Sequence, residues 1–226
     1  MGNRYTPSVE GSGELMPSRR RVLSALAAAG AAGLAGCSGG GSGGANGCTI
    51  EDEPTVSTMP APTIGDDDAS VTVLAFEDFA CPHCATYSLE VFPDLRAEYV
   101  ETGVVSYEFH DFPIPVDEQW SWQAASAARG VQDETDDATF FEYAHALFEN
   151  QSEFSPGRIT TLANDVGAPG CAIQADAVNE TYRPVVEADR QRAVDRGAEG
   201  TPAIFVDGQA VSPTYDAISS AIESAR

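Results

Sequence analysis

The chain has 226 residues, which suits one domain of ordinary size carrying tails or an insertion. Twelve basic residues, all arginine, stand against 35 acidic ones, for a net charge of −23. A surface of that sign repels nucleic acid and anionic lipid head groups, so electrostatic binding to either is not expected. The acids are interleaved with Phe, Trp, Tyr, Val and Leu, which favours a folded domain with an acidic skin over disorder.

The first distinctive stretch, Ser18 to Cys37, reads "SRRRVLSALAAAGAAGLAGC". Its apolar part, Val22 to Gly36, is 15 residues long, whereas a bilayer-spanning helix needs about 20. A positive head, a short apolar run and a small-residue end describe a secretory signal. Arg19 and Arg20 after Ser18 resemble a twin-arginine export signal, and Leu34-Ala35-Gly36-Cys37 resembles a lipobox. The resemblance implies cleavage before Cys37 and a lipid on Cys37; simple cleavage near Ala35 and release is the alternative. Residues 1–36 are thus read as an export signal. Residues 37–55, with "SGGGSGGANG" at 38–47, are read as a lipid-anchored flexible tether.

Further along, the Pro/Thr-rich stretch 48–65 reads as an extended lead-in. "VTVLAF" (71–76) is a short β-prone run, consistent with a strand buried on both faces. A helix is predicted over 82–100, with Cys84, Tyr87, Val91, Leu95 and Tyr99 on one buried face and a kink at Pro93. "VVSYEFHDF" (104–112) is a second strand, making a parallel βαβ unit. Residues 117–198 read as about four helices, with Ser155-Pro156 as an N-cap and first-turn pair and one helix spanning 174–197. "AIFVDGQAV" (203–211) reads as a hairpin around Asp207-Gly208, and a last helix carries Tyr215, Ile218 and Ile222 on one side. The fold class is therefore α/β, in the order β-α-β, a helical block, then β-β-α.

Cys81-Pro82-His83-Cys84 falls where the first strand gives way to the helix. In an exported protein such a pair meets an oxidising medium. Cys81 at the helix N-terminus would be the exposed nucleophile, its thiolate favoured by orphan N–H groups and the helix dipole. Pro82 suits the first helical position, and Cys84, one turn in, would be the buried partner. His83 is expected to lower the Cys81 pKa and so favour the reduced form, which makes the couple oxidising. A metal site wants more ligands than this pair offers: zinc takes four, and the other histidines are His110 and His145, for which no role is needed. A copper-carrying site of two cysteines and a histidine stays open, as does a plain structural disulfide.

With CPHC after a β-run and "GTPAIFVDG" at 200–208, the chain resembles thiol–disulfide oxidoreductases of the thioredoxin fold, in their DsbA-like branch, over roughly residues 56–226. "HDFPIP" (110–115) resembles that branch's entry into its helical domain. The resemblance implies a thioredoxin-like fold in two segments, 56–116 and 199–226, with an inserted helical domain at 117–198 between them. It also implies that Cys81 and Cys84 form the redox-active disulfide, with no other cofactor and no metal. Pro202 would be a cis-proline facing that disulfide, and Thr201 would offer its main chain to an unfolded or reduced secreted substrate; a plain loop proline starting an edge strand is the alternative for Thr201-Pro202. A membrane partner would re-oxidise the pair. Reductase or isomerase activity, or a copper metallochaperone, are the competing functions.

One departure stands out. Many relatives keep an acid six residues before the first cysteine; here that residue is Ala75. Glu77 is only a weak substitute, read as a solvated or hydrogen-bonded acid at the strand end, so the proton acceptor of Cys84 is unassigned. Cys48 and Cys171 could pair, or Cys171 could be a small buried residue. The acidic, lysine-free composition resembles that of salt-loving archaea, and the expected location is the outer face of the membrane, held by the lipid on Cys37.

Overall fold

The computed structural model describes residues 47–114 and 116–226. The export signal, Cys37 and most of the tether lie outside the described residues. The short strand β1 (Thr63–Ile64) leads into β2 (Val71–Glu77) and β3 (Val105–Asp111). Much later come β4 (Ala203–Val206) and β5 (Gln209–Val211). They form one five-stranded sheet in the order β1-β3-β2-β4-β5. β2 and β3 run parallel, with Val73 opposite Tyr107, Ala75 opposite Phe109 and Glu77 opposite Asp111; the other neighbours are antiparallel. β4 is thus an interior strand, and Pro202 does not open a sheet edge.

The sheet is covered on both faces, as the unbroken apolar run in β2 anticipates. Val71, Val73 and Ala75 pack into the larger core with Cys84, Tyr87 and the helical insert, while Leu74 and Phe76 pack with Phe112, Ala193 and Phe205. The β4–β5 turn is set by its two residues: Asp207 has φ 44° and Gly208 φ 80°, the left-handed pair that a two-residue hairpin matching strand twist requires.

The helix after β2 starts as α1 (Pro82–Thr86), widens to a π segment (Tyr87–Val91), resumes as α2 (Phe92–Leu95) and widens again (Arg96–Val100). The expected disturbance at Pro93 takes this form. Proline has no N–H to give and its ring crowds the carbonyl four residues back. The wider turn before it, closed by Phe92 N–H on Tyr87 O with Val91 at φ −106°, accommodates the ring without ending the helix.

Five α-helices, not four, fill the insert: α3 (Trp120–Glu134), α4 (Asp137–Glu149), α5 (Pro156–Asp165), α6 (Gly170–Asn179) and α7 (Arg183–Asp195). The single helix expected over 174–197 breaks because Glu180 turns left-handed at φ 48° and caps α6, after which Pro184 occupies the first turn of α7. Ser155 caps α5, accepting from the Arg158 amide as its spacing implied. α8 (Tyr215–Ala225) returns to the sheet and buries Ile218 and Ile222.

Two features lock the insert to the rest. Arg129 on α3, fully buried, donates to Asp111 at 2.7 Å and to Asp189 of α7 at 2.6 Å. Asp189 also bonds His110, which is buried, stacks on Phe76 and reaches Glu108 with its other ring nitrogen. His110, for which no role was expected, therefore joins strand to insert. Burial pulls its pKa down, but the bonds to Asp189 and Glu108 raise it on balance. Cys48 and Cys171 form a disulfide with Cα atoms 5.2 Å apart, so the lead-in is pinned to α6 from Cys48 onward rather than free to residue 55.

Candidate active site

Cys81 caps α1 in extended conformation (φ −82°, ψ 121°) and Pro82 takes the first helical position, so the chain turns from strand to helix at the first sulfur. Cys81 and Cys84 stand as free thiols. Cys84 is fully buried, and Cys81 is also covered, at 2% exposure, which corrects the expectation of an exposed nucleophile. Part of the cover is the Thr201 carbonyl, 3.7 Å from Cys81 Sγ, across the cis Thr201–Pro202 bond. Sequence-distant Cys81 and Thr201-Pro202 are thus brought together as expected.

A second tie comes from the insert. Gln151, in a 3₁₀ turn (Gln151–Glu153) after α4, donates its carboxamide N–H groups to Phe79 O at 2.7 Å and Cys81 O at 2.9 Å. Nothing in the sequence pattern marks Gln151, because its partners are main-chain carbonyls 70 or more residues away.

The two thiols are driven apart electrostatically. Cys81 falls from 9.0 to about 5. The largest cause is a hydrogen bond from the Cys84 thiol; burial opposes it, and Thr201 and the main-chain N–H groups of Cys84 and His83 add to it. While protonated, the Cys81 thiol points at the Thr201 carbonyl; as a thiolate it is favoured by the Thr201 hydroxyl, a buried donor with no other partner among the described residues. Cys84 moves the opposite way, raised by burial, by its bond to Cys81 and by the charge of Glu77. The Asp78 amide donates to Cys84 Sγ at 3.4 Å and works against that rise. His83 acts on Cys81 through its main-chain amide, while its side chain lies exposed. The expectation of an imidazole at the sulfur is corrected to a helix-terminus effect.

Beneath the pair lies the acid that Ala75 lacks. Ala75 is fully buried in apolar surroundings, and Glu77, two residues on and so on the same face of β2, is 1% exposed. Its carboxyl accepts from Ser88 Oγ at 2.6 Å, and burial, outweighing that bond, raises its pKa to about 8. Glu77 is therefore not solvated. Strand parity with Ala75 is the sequence signal that identifies it. Asp78 is also raised by burial, but it accepts from Ala80 N, Ile114 N and Ser121 Oγ, a loop-fastening role. Among the described residues no group of three or more His, Cys, Asp or Glu could hold a metal ion.

A family model described as thioredoxin matches residues 57–224. The chain is 29% identical over 168 residues to the probable disulfide bond formation protein D of Bacillus anthracis, covering 71% of this chain and 76% of that one. It is 28% identical over 170 residues to disulfide bond formation protein D of Bacillus subtilis, covering 72% and 75%. Among solved structures, oxidised BdbD of B. subtilis superposes with a TM-score of 0.68 at 28% identity, over 76% of this chain and 98% of that one. Chlamydia trachomatis DsbA, at 22% identity, shares the fold with a TM-score of 0.66 over 77% and 96%. The chain belongs to the thioredoxin family and is a DsbA-like protein-disulfide oxidoreductase, its chemistry that of a redox-active disulfide without an external cofactor.

Proposed function

We propose that the protein is an exported oxidase that introduces disulfides into secreted proteins through Cys81 and Cys84. The observation that carries the direction is the setting of Cys81, which caps α1 beside Cys84 and Thr201, groups that lower its thiol to about 5: a stabilised thiolate stabilises the reduced pair and makes its disulfide a strong oxidant. A substrate thiolate attacks Cys81 Sγ. The Cys81–Cys84 bond breaks, and Cys84 leaves with the electron pair. Its high pKa draws a proton from Glu77, which is neutral below about 8. A second substrate thiolate then attacks the substrate sulfur of the mixed disulfide. Cys81 departs as thiolate, helped by the main-chain N–H of His83 and by the helix that Pro82 opens. Thr201 and Pro202 lie alongside, where an extended substrate can pair with main chain.

A membrane partner re-oxidises the pair. The same reading places the protein outside the cell membrane, anchored through lipid on Cys37 after twin-arginine export, in a salt-rich milieu. It rests on the signal-like sequence and on 35 acidic residues that molar salt would screen.

The deciding measurement is the equilibrium potential of the Cys81–Cys84 couple against glutathione. An oxidase should lie near about −120 mV; a value near about −270 mV would mean electrons flow the other way, as in a reductase. Cys84→Ala in cells should accumulate client proteins in mixed disulfides with Cys81, and their absence would remove the client-oxidase reading.

A further inference from the structure

The turn that delivers Cys81 to α1 is fastened at both ends by the helical insert. At its start, Cys81 N–H closes the turn on Asp78 O at 3.0 Å, and Asp78 Oδ2 accepts from Ser121 Oγ of α3 at 2.8 Å. At its finish stands Gln151, with one carboxamide N–H on Phe79 O at 2.7 Å and the other on Cys81 O at 2.9 Å. Cys81 O also accepts from Ala85 N at 3.1 Å, the first hydrogen bond of α1. Gln151 is itself held. It follows the end of α4, whose Phe148 ring packs on the Phe79 ring with centroids 4.9 Å apart, and Glu153 in the same 3₁₀ turn pairs with Arg158 of α5.

We propose that Gln151 is a positioning residue for the redox pair: by gripping the Cys81 and Phe79 carbonyls it keeps Cys81 Sγ against the N-terminus of α1 in the reduced state, and so makes the couple more oxidising. The proposal rests on Cys81 and Cys84 being the redox pair and holds for either direction of electron flow.

α1 has no side-chain cap: Cys81 occupies the N-cap position, and its sulfur rather than an oxygen meets the free N–H groups of His83 and Cys84. Cys81 holds φ −82° and ψ 121°, and ψ sets the direction of its carbonyl relative to its side chain. A donor fixed on that carbonyl therefore limits where the sulfur can lie. Without it, the first turn of an uncapped helix is free to fray. The two oxidation states need this grip unequally. In the disulfide, Cys84 holds Cys81 covalently from one turn inside α1. In the dithiol that bond is gone, and the placing of Cys81 Sγ falls to its main chain, to Gln151 and to the contact with Thr201 O at 3.7 Å. Loss of Gln151 therefore weakens the reduced state more than the oxidised one.

The measurement is the equilibrium of the couple with glutathione, in which two glutathione thiols are oxidised to their disulfide as the Cys81–Cys84 disulfide is reduced to two thiols. Gln151→Met removes both donors at similar length and volume. Gln151→Glu also sets a carboxylate against the two carbonyls. In Gln151→Met the equilibrium should move toward the protein disulfide by roughly fivefold to tenfold, the latter about 30 mV, and the Cys81 titration midpoint should move upward. Gln151→Glu should move both at least as far. Denaturant unfolding should show reduced Gln151→Met losing more stability than the oxidised form. Equal losses in the two forms, with a parent-like equilibrium, would reduce Gln151 to a structural tie and overturn the proposal. A shift confined to Gln151→Glu would overturn it too, being the effect of the added charge alone. The direction of electron flow is read from the parent's potential and the role of Gln151 from the difference between parent and variants, so either can fail without the other.

Discussion

Glu77 and Asp111 are partners across two parallel strands, both at the strand end and both almost wholly buried, yet they are used in opposite ways. Asp111 meets the Arg129 guanidinium at 2.7 Å and is carried as half of an ion pair; burial raises its pKa and Arg129 holds it back. Among the described residues Glu77 has a serine and no cation in hydrogen-bond contact, and burial lifts it to about 8. The same chemical group at the same depth is held to about 6 beside a guanidinium and rises to about 8 without one. The partner makes the difference: a cation anchors an acid, and its absence leaves the acid able to take and release a proton near neutral pH.

The sharpest way to break this contrast is Arg129→Met, which leaves Asp111 and Asp189 buried without their cation. It should cost about 3–5 kcal/mol of stability, read from denaturant unfolding of the reduced protein. A parent-like midpoint would show that the pair is not what holds the insert.

Glu77→Gln tests the other half and should act with the opposite sign. The folded pKa is raised above the unfolded value of 4.5, so the stability linked to the proton is fully present below 4.5 and is lost as pH rises through about 8. Glutamine removes that loss. The variant should gain roughly 2–4 kcal/mol over the parent at pH 8–9 and little at pH 4, a difference seen by unfolding at the two pH values. Equal gains at both would mean that Glu77 does not titrate in this window.

Ser88→Ala is a smaller change. Its hydrogen bond lowers the Glu77 pKa, so its loss should raise it further and shift the pH–stability profile upward, at a cost of about 1 kcal/mol in the folded protein. The smallest effect is expected on the cysteine side. The Cys81 thiolate, followed by its ultraviolet absorbance, should titrate near pH 5. Its depressed pKa stabilises the reduced fold above the unfolded thiol range, and that contribution is lost as pH falls through about 5. Thr201→Val removes one of several donors and should raise the midpoint modestly, with the unfolding profile near Glu77 untouched.

The contrast between the acids could not be read from the sequence, although much around it could. The β-prone run at 71–76, the Asp207-Gly208 turn, the CPHC at the strand-to-helix junction and the Thr201-Pro202 pair each carry a local physical signature, and each appears where that signature puts it. Glu77 was half legible. Period-two parity puts it on the face of Ala75, but whether an acid there is solvated, paired or neutral depends on side chains from other elements. Arg129 and Gln151 come from the insert and find partners 60 or more residues away through no pattern of spacing. The break at Glu180 was invisible for a different reason: glutamate favours helix, and no turn residue at that position marks the left-handed cap that ends α6.

The π turns carry a consequence that can be stated as an angle. A five-residue turn sets the helix before it out of phase with the helix after it, because each residue of an α-helix advances about 100°. Cys84 in α1 and Leu95 in α2, one on each side of Tyr87–Val91, are both buried. Deleting one residue there would restore regular winding and turn the two cysteines about a quarter-circle away from Glu77 and Thr201, with every helical residue still helical. The alignment of the redox pair is therefore held by one extra residue of helix phase, eleven positions downstream of a strand whose acid it must meet.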